Sequence, residues 1–136
     1  MVRGMAFSKS NQYLEEMHHL SEFMKAFGHS ARIQIIETLC RQGICSVEEL
    51  YRNHPIARST FSEHLEILRA CHLVEWEERF PYTYYRVNIE VLLYAIKLVK
   101  KFFGSLLDHL RGFENLVAFF QESGNYGKSS DQIVKR

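Results

Sequence analysis

The run Arg58-Ser59-Thr60-Phe61-Ser62-Glu63-His64 concentrates hydrogen-bonding side chains in a short stretch of chain. An arginine can donate to guanine, serine and threonine hydroxyls can donate to phosphates or base edges, and a glutamate can accept from cytosine N4. The same residue types on an ordinary helix would be a solvated face, so their value depends on what surrounds them. Other chemistry-bearing residues are scattered. His18 and His19 near the start and Asp108 and His109 near the end are types that bind zinc or nickel, yet they read as surface polar residues. Cys40, Cys45 and Cys71 are odd in number, which argues against a disulfide framework, and free cysteine is commonly a small buried hydrophobe. Seven histidines have no catalytic spacing, and the chain has no glycine-rich phosphate loop, nucleophile elbow, H-E-x-x-H or C-x-x-C. No enzyme is expected.

Periodicity supplies the elements that would position these groups. Tyr13, Met17, Leu20, Met24 and Phe27 step by four and three, which makes an amphipathic helix ending near Gly28. A second helix starts near Ser30 and stops at Gly43, with Ile33, Ile36 and Cys40 on one side and Ile35 and Leu39 beside them. Ile44-Cys45-Ser46-Val47 fits a very short strand, with Cys45 facing the core. Ser46 and Glu49 form a capping-box pattern that starts a third helix, which Asn53-His54-Pro55 stops. Phe61, Leu65 and Leu68 then define a fourth helix over about Arg58–Cys71, its polar face outward. Two short helices around a tight turn are a helix-turn-helix pattern. Leu73 to Glu78 and Tyr82 to Val87 bracket Pro81 as a β-hairpin. Leu92, Ile96, Val99, Phe103, Leu106, Leu110, Phe113, Val117 and Phe120 repeat by four and three, with a weak point at Gly112.

The chain has 136 residues, 46% hydrophobic and 24% charged, enough to bury one core. A single domain is expected over 1–122, followed by a flexible tail over 123–136. Net charge is +1, so any nucleic-acid case rests on local placement. No secretory or membrane-spanning segment is read, and the expectation is a cytoplasmic protein without a membrane partner. One small domain cannot cover so long an apolar helix, so a homodimer is expected. Its interface would hold Tyr13, Met17, Leu20, Leu92, Ile96, Val99, Phe103, Leu106 and Leu110.

The element order resembles the ArsR-type (ArsR/SmtB) family of small dimeric bacterial transcription regulators. The likeness rests on Lys25-Ala26-Phe27-Gly28-His29-Ser30-Ala31-Arg32-Ile33-Gln34-Ile35-Ile36, on Ser59-Thr60-Phe61-Ser62-Glu63-His64-Leu65-Glu66-Ile67-Leu68-Arg69, and on Tyr84-Tyr85-Arg86-Val87. It covers roughly residues 20–90. It implies a mainly α fold with a small β-hairpin, a winged helix-turn-helix with long N- and C-terminal dimerisation helices. It also implies a repressor whose fourth helix enters the major groove of double-stranded DNA at an inverted-repeat operator. Arg58, Ser59, Thr60, Ser62, Glu63 and His64 would then contact DNA, joined by the wing cations Arg79 and Arg86.

The chain departs from the family at several points. Ala57 stands where a capping Ser or Thr is usual, and His72 where glycine usually follows the recognition helix. The wing is acidic through Glu75, Glu77 and Glu78, so weak, salt-sensitive binding is expected. At one family metal site this chain has Ser46-Val47-Glu48, and at the other Ile89, Val91, Phe102 and Ser105, so neither offers a usable ligand set. No metal or cofactor is expected. The acidic wing and near-neutral charge leave one rival, a winged-helix protein-interaction module with little or no DNA binding. A third possibility keeps DNA binding and adds an apolar small-molecule signal between the first and last helices.

Overall fold

A computed structural model describes residues 9–122. The chain divides into two compact units, Met1–Leu98 and Val99–Arg136. The expected tail over 123–136 lies outside the described residues. The first unit contains α1 (Lys9–Ala26), α2 (Ser30–Gln42), β1 (Cys45–Ser46), α3 (Val47–Tyr51), α4 (Arg58–Ala70), β2 (Val74–Arg79), β3 (Tyr82–Val87) and the start of α5 (Ile89–Leu110). The remainder of α5 and α6 (Glu114–Glu122) form the second, so the apolar repeat breaks at the turn around Gly112.

Leu20, Phe23 and Ala26 recur every three residues and are the buried face of α1. Leu20 thus belongs to the protomer's own core, not to a dimer interface, and the sequence expectation is corrected there. The α2 cap is His29, one residue ahead of the expected Ser30. Its backbone is extended, and its ring Nδ1 accepts the Ala31 amide at 3.0 Å. Ile35, Ile36 and Leu39 are buried, whereas Ile33 and Cys40 face outward, so the inward stripe of α2 lies to one side of the expected one. Gly43 closes the helix at φ +88°, a conformation that side-chain-bearing residues rarely adopt, and donates to the Leu39 carbonyl at 2.8 Å.

The three strands form an antiparallel sheet in the order β1-β3-β2. Cys45 and Ser46 pair with Tyr85 and Tyr84, tying the entry of α3 to the hairpin. On one face of the hairpin Trp76 pairs with Tyr85 and Glu78 with Thr83. On the other Glu75 pairs with Arg86, Glu77 with Tyr84 and Arg79 with Tyr82. The core is centred on Ile35, Leu39, Phe61, Leu68 and Leu73, all essentially inaccessible, with Cys45 among them as expected. Among the described residues no helix is long and apolar enough to cross a membrane.

Candidate nucleic-acid interface

Short helices need side-chain help to hold their ends, and α3 has it. Ser46 Oγ accepts the Glu49 amide at 3.2 Å while Glu49 Oε2 accepts the Ser46 amide at 2.7 Å, the capping box read from the sequence. The turn after α3 is fastened by Tyr51, whose hydroxyl donates to the Ile56 carbonyl at 2.9 Å. Phe61, fully buried, packs against the Tyr51 and His54 rings at 5.2 and 5.0 Å. These contacts set α4 at a fixed angle to α3.

The buried stripe of α4 is Phe61, His64, Leu65 and Leu68, which is the i, i+3, i+4, i+7 pattern of one helix face. Arg58, Ser59, Thr60, Ser62 and Glu63 are all exposed on the remaining surface. Ala57 has the extended backbone of an N-cap but no capping side chain. The first-turn amides therefore lie beside three hydroxyl groups at the helix's positive end.

His64 is corrected from the outward face to the interior. It is only 7% exposed, its Nδ1 lies 2.9 Å from Arg32 Nη1, and its ring sits 4.2 Å from that of His29. Arginine can only donate, so Nδ1 is the acceptor and the ring is the neutral tautomer with its proton on Nε2. That Nε2 is buried and has no hydrogen-bond partner among the described residues. Burial is the main reason the His64 pKa is held below its ordinary value, with the charges of His29, Arg32 and His54 acting in the same direction and Glu63 opposing. Arg32 also donates to the Ala26 carbonyl at 2.6 Å and to the Lys25 carbonyl at 3.1 Å. It thus caps the C-terminal end of α1 and supports α4 from below. Sequence reasoning misses Arg32 as a structural residue. The signal for it is its place next to Ala31 on the inward face of α2.

The three cations expected to meet DNA all have carboxylate partners within the chain. Arg58 reaches Glu48 at 3.0 Å and lies 5.1 Å from the Tyr51 ring centroid, bracing α4 against α3. The Glu48 carboxyl is held below its ordinary pKa by its own backbone amide and by Arg58. Arg86 pairs with Glu75 at 2.9 Å across the hairpin, and Arg79 with Glu77 at 3.0 Å along it. Exposed pairs of this kind contribute about 0–1 kcal/mol, so a phosphate can displace the carboxylate at little cost. The wing is held to α4 by Arg69, whose guanidinium lies 3.6 Å from the Trp76 ring centroid while also pairing with Glu66.

The C-terminal end of α4 is a Schellman turn. Leu73 donates to the Leu68 carbonyl at 3.1 Å and His72 to the Arg69 carbonyl at 2.9 Å. His72 sits at φ +60°, the left-handed position that glycine would fill without strain. The Cys45 and Cys71 thiols are not activated, because burial raises the pKa of both. His19 Nδ1 is engaged by the Tyr94 hydroxyl at 2.8 Å. Among the described residues no cluster of three or more His, Cys, Asp or Glu is arranged to hold a metal ion.

A braced helix pair with an outward polar surface, followed by a hairpin wing, is a winged helix-turn-helix architecture. Residues 29–75 match the family model described as bacterial regulatory protein, arsR family. Over those residues the chain is similar to the helix-turn-helix domain of the bacterial ArsR regulatory family. It is similar to an ArsR-like transcriptional regulator from Rhodococcus sp. RHA1, at 25% identity and a TM-score of 0.56, over 77% of this chain and 92% of that one. Reduced HlyU from Vibrio cholerae is similar at 25% identity and a TM-score of 0.55, over 67% and 95% of the two chains. The transcriptional repressor BigR from Xylella fastidiosa shares the fold at 23% identity and a TM-score of 0.54, over 69% and 96%. No curated protein sequence gives a significant match. The comparisons favour a DNA-binding regulator over the interaction module.

Proposed function

We propose that this chain is a homodimeric repressor that binds an inverted-repeat operator in double-stranded DNA through α4. The observation that carries the reading is the exposed set Arg58, Ser59, Thr60, Ser62 and Glu63, standing on a helix anchored by Phe61, Leu65 and Leu68. Such a helix fits a major groove ~12 Å wide with its N-terminal residues at the base edges. Ser59, Thr60 and Ser62 supply phosphate or base donors, Glu63 an acceptor for cytosine, and Arg58 a guanine contact once released from Glu48. Arg79 and Arg86 serve as wing cations. His64 is withdrawn from the DNA-facing group, because its place under α4 makes it a support.

Dimerisation is supported by apolar side chains that the single chain leaves exposed or partly exposed. Tyr13 and Met17 on α1, with Leu92, Ile96, Val99, Phe103, Leu106 and Leu110 on α5, are of this kind. Two copies related by a twofold axis present two α4 helices to half-sites about one DNA turn apart, ~34–36 Å. The regulator is read as a non-enzymatic cytoplasmic protein, in keeping with its three unpaired cysteines.

The test is selection from random duplex DNA by the full-length chain, followed by binding of Arg58→Ala and Ser62→Ala variants to the enriched sequence. A palindromic consensus is expected, with weaker binding by both variants and no change in dimer mass. No enrichment at low salt would return the interaction module, and full affinity in both variants would remove α4 from the mechanism.

A further inference from the structure

Arg58, Arg69, Arg79 and Arg86 all have carboxylate partners, whereas Arg32, only 9% exposed, has none among the described residues. Its hydrogen bonds run to two carbonyl oxygens and the neutral His64 ring. That leaves one N–H on each Nη without a partner among the described residues. Buried charges are normally paired, so a guanidinium in this state is a seat for an anion. Arg32 lines a cleft of about 220 Å³ together with Glu22, Lys25 and Cys71. The uncompensated charge therefore borders open space instead of packed core.

A second cleft, of about 300 Å³, meets the first along Glu22, Ala70 and Cys71. Its walls are mostly apolar, with Phe23 from α1, Ala70 from the end of α4, and Val91 and Tyr94 from α5. Tyr94 is a fixed wall, since its hydroxyl meets His19 Nδ1 at 2.8 Å and its ring stands edge-on to Phe23 at 5.9 Å. His72 lines the same cleft from its left-handed backbone at φ +60°. Strain of this kind persists where a side chain is put to use. Small-molecule sites span ~300–1,000 Å³ and combine apolar walls with a few placed polar groups, as the joined clefts do. Neither cleft uses a residue of the apolar set proposed for dimerisation.

We propose that the joined clefts bind a small apolar α-amino acid, its carboxylate at Arg32 and Lys25, its ammonium at Glu22 and its side chain between Phe23, Val91 and Tyr94. Glu22 belongs to both clefts, so it stands where the charged end of such a ligand meets its apolar body. A simple carboxylic acid would be repelled there, and a simple amine would leave Arg32 unpaired. A branched aliphatic or aromatic side chain fills the apolar cleft, while glycine leaves it empty. Arg32 also donates to His64, and Ala70 to His72 close the end of α4, so the ligand touches the supports of that helix. The regulatory consequence rests on α4 being the DNA-binding helix. The amino acid shifts operator affinity, and operator DNA shifts amino-acid affinity by the same factor.

The experiment titrates the free full-length chain by calorimetry with L-phenylalanine, L-leucine, glycine, phenylpropionate and phenethylamine. Saturable binding of phenylalanine or leucine is expected, with no binding of glycine. Phenylpropionate and phenethylamine, each lacking one charge of phenylalanine, should bind at least about tenfold more weakly than it does. Glu22→Gln removes the ammonium partner and Ala70→Trp fills the cleft, and each should cost at least about tenfold in affinity. Both positions are exposed, so the thermal melts of the free variants should match wild type. No binding of either apolar amino acid up to about 10 mM would overturn the site. So would an analogue lacking one charge that binds as tightly, or wild-type affinity in both variants. Saturating amino acid should also change affinity for a duplex enriched by selection at least about fivefold. Amino-acid binding without that change would overturn the regulatory link and leave the site standing. Failure of the chain to enrich any duplex would overturn the DNA-binding function alone, because the titration uses the free chain.

Discussion

At the residue scale, Arg32 and His64 form a buried polar unit on the inner side of α4. The guanidinium satisfies the last carbonyls of α1 and donates to a neutral imidazole, so protonating His64 would place an N–H against an arginine. The charged and titratable groups around His64 are Arg32, His29, His54 and Glu63. His54 also titrates below its ordinary value because of burial. The unfolded chain takes up these protons near pH ~6.5. Between that value and the lowered folded values the unfolded state holds more protons, so stability rises with pH there. Stability from this cluster is complete above about pH 6.5 and drains as pH falls through the folded values. The melting temperature should therefore fall as the pH is lowered from about 6.5 towards the lowered folded values of His64 and His54. His64→Gln, which retains an acceptor for Arg32 but does not titrate, should flatten part of that fall. Parallel pH profiles for the two proteins would exclude His64 as a source of the effect.

At the element scale, α4 is braced along its length but weakly finished at both ends. Ala57 lacks a capping oxygen, and His72 occupies a left-handed position. Ala57→Ser should stabilise the fold by about 1 kcal/mol, by supplying an acceptor for a first-turn amide. His72→Gly should add about 0.5–1 kcal/mol by removing the left-handed strain. Urea unfolding would measure both as shifts of midpoint with an unchanged slope. The wing presents a separate electrostatic expectation. Glu75→Gln and Glu77→Gln release Arg86 and Arg79 and remove two negative charges from the wing. The double variant should bind operator DNA more tightly. It should also steepen the salt dependence by up to about two units, roughly 0.9 for each phosphate newly neutralised. Anisotropy titrations at several salt concentrations give both quantities, and an unchanged slope would place the wing away from the backbone.

At the scale of the whole molecule, the apolar residues left accessible along α1 and α5 set the expected assembly. A single charge placed among them costs an isolated protomer little, since these positions already meet solvent. Ile96→Glu or Phe103→Glu should therefore convert a dimer to monomer without lowering protomer helicity. Sedimentation velocity reports the mass, and operator affinity should fall with it because each half-site then binds alone. A dimer that survives both changes would move the interface elsewhere.

Local patterns suffice to fix much of this protein. Ser46 and Glu49 announce a capping box, Gly43 a helix stop, Phe61, Leu65 and Leu68 a buried stripe, and the β-rich Tyr82–Val87 run a hairpin strand. Each depends on contacts within a few residues, which is why each is legible before any fold is known. His64 is misread from sequence although its spacing from Phe61 and Leu68 puts it on the buried stripe, because its polarity weighs against burial. Only the tertiary partner Arg32, distant in sequence, makes that burial tolerable. Leu20 follows the same logic, since the core against α1 comes from other parts of the chain. The ion pairs on Arg58, Arg79 and Arg86, and the complete exposure of Phe80, are likewise decided by three-dimensional placement. Periodicity gives the side of a helix that is apolar, but which polar groups find partners depends on what the folded chain brings beside them.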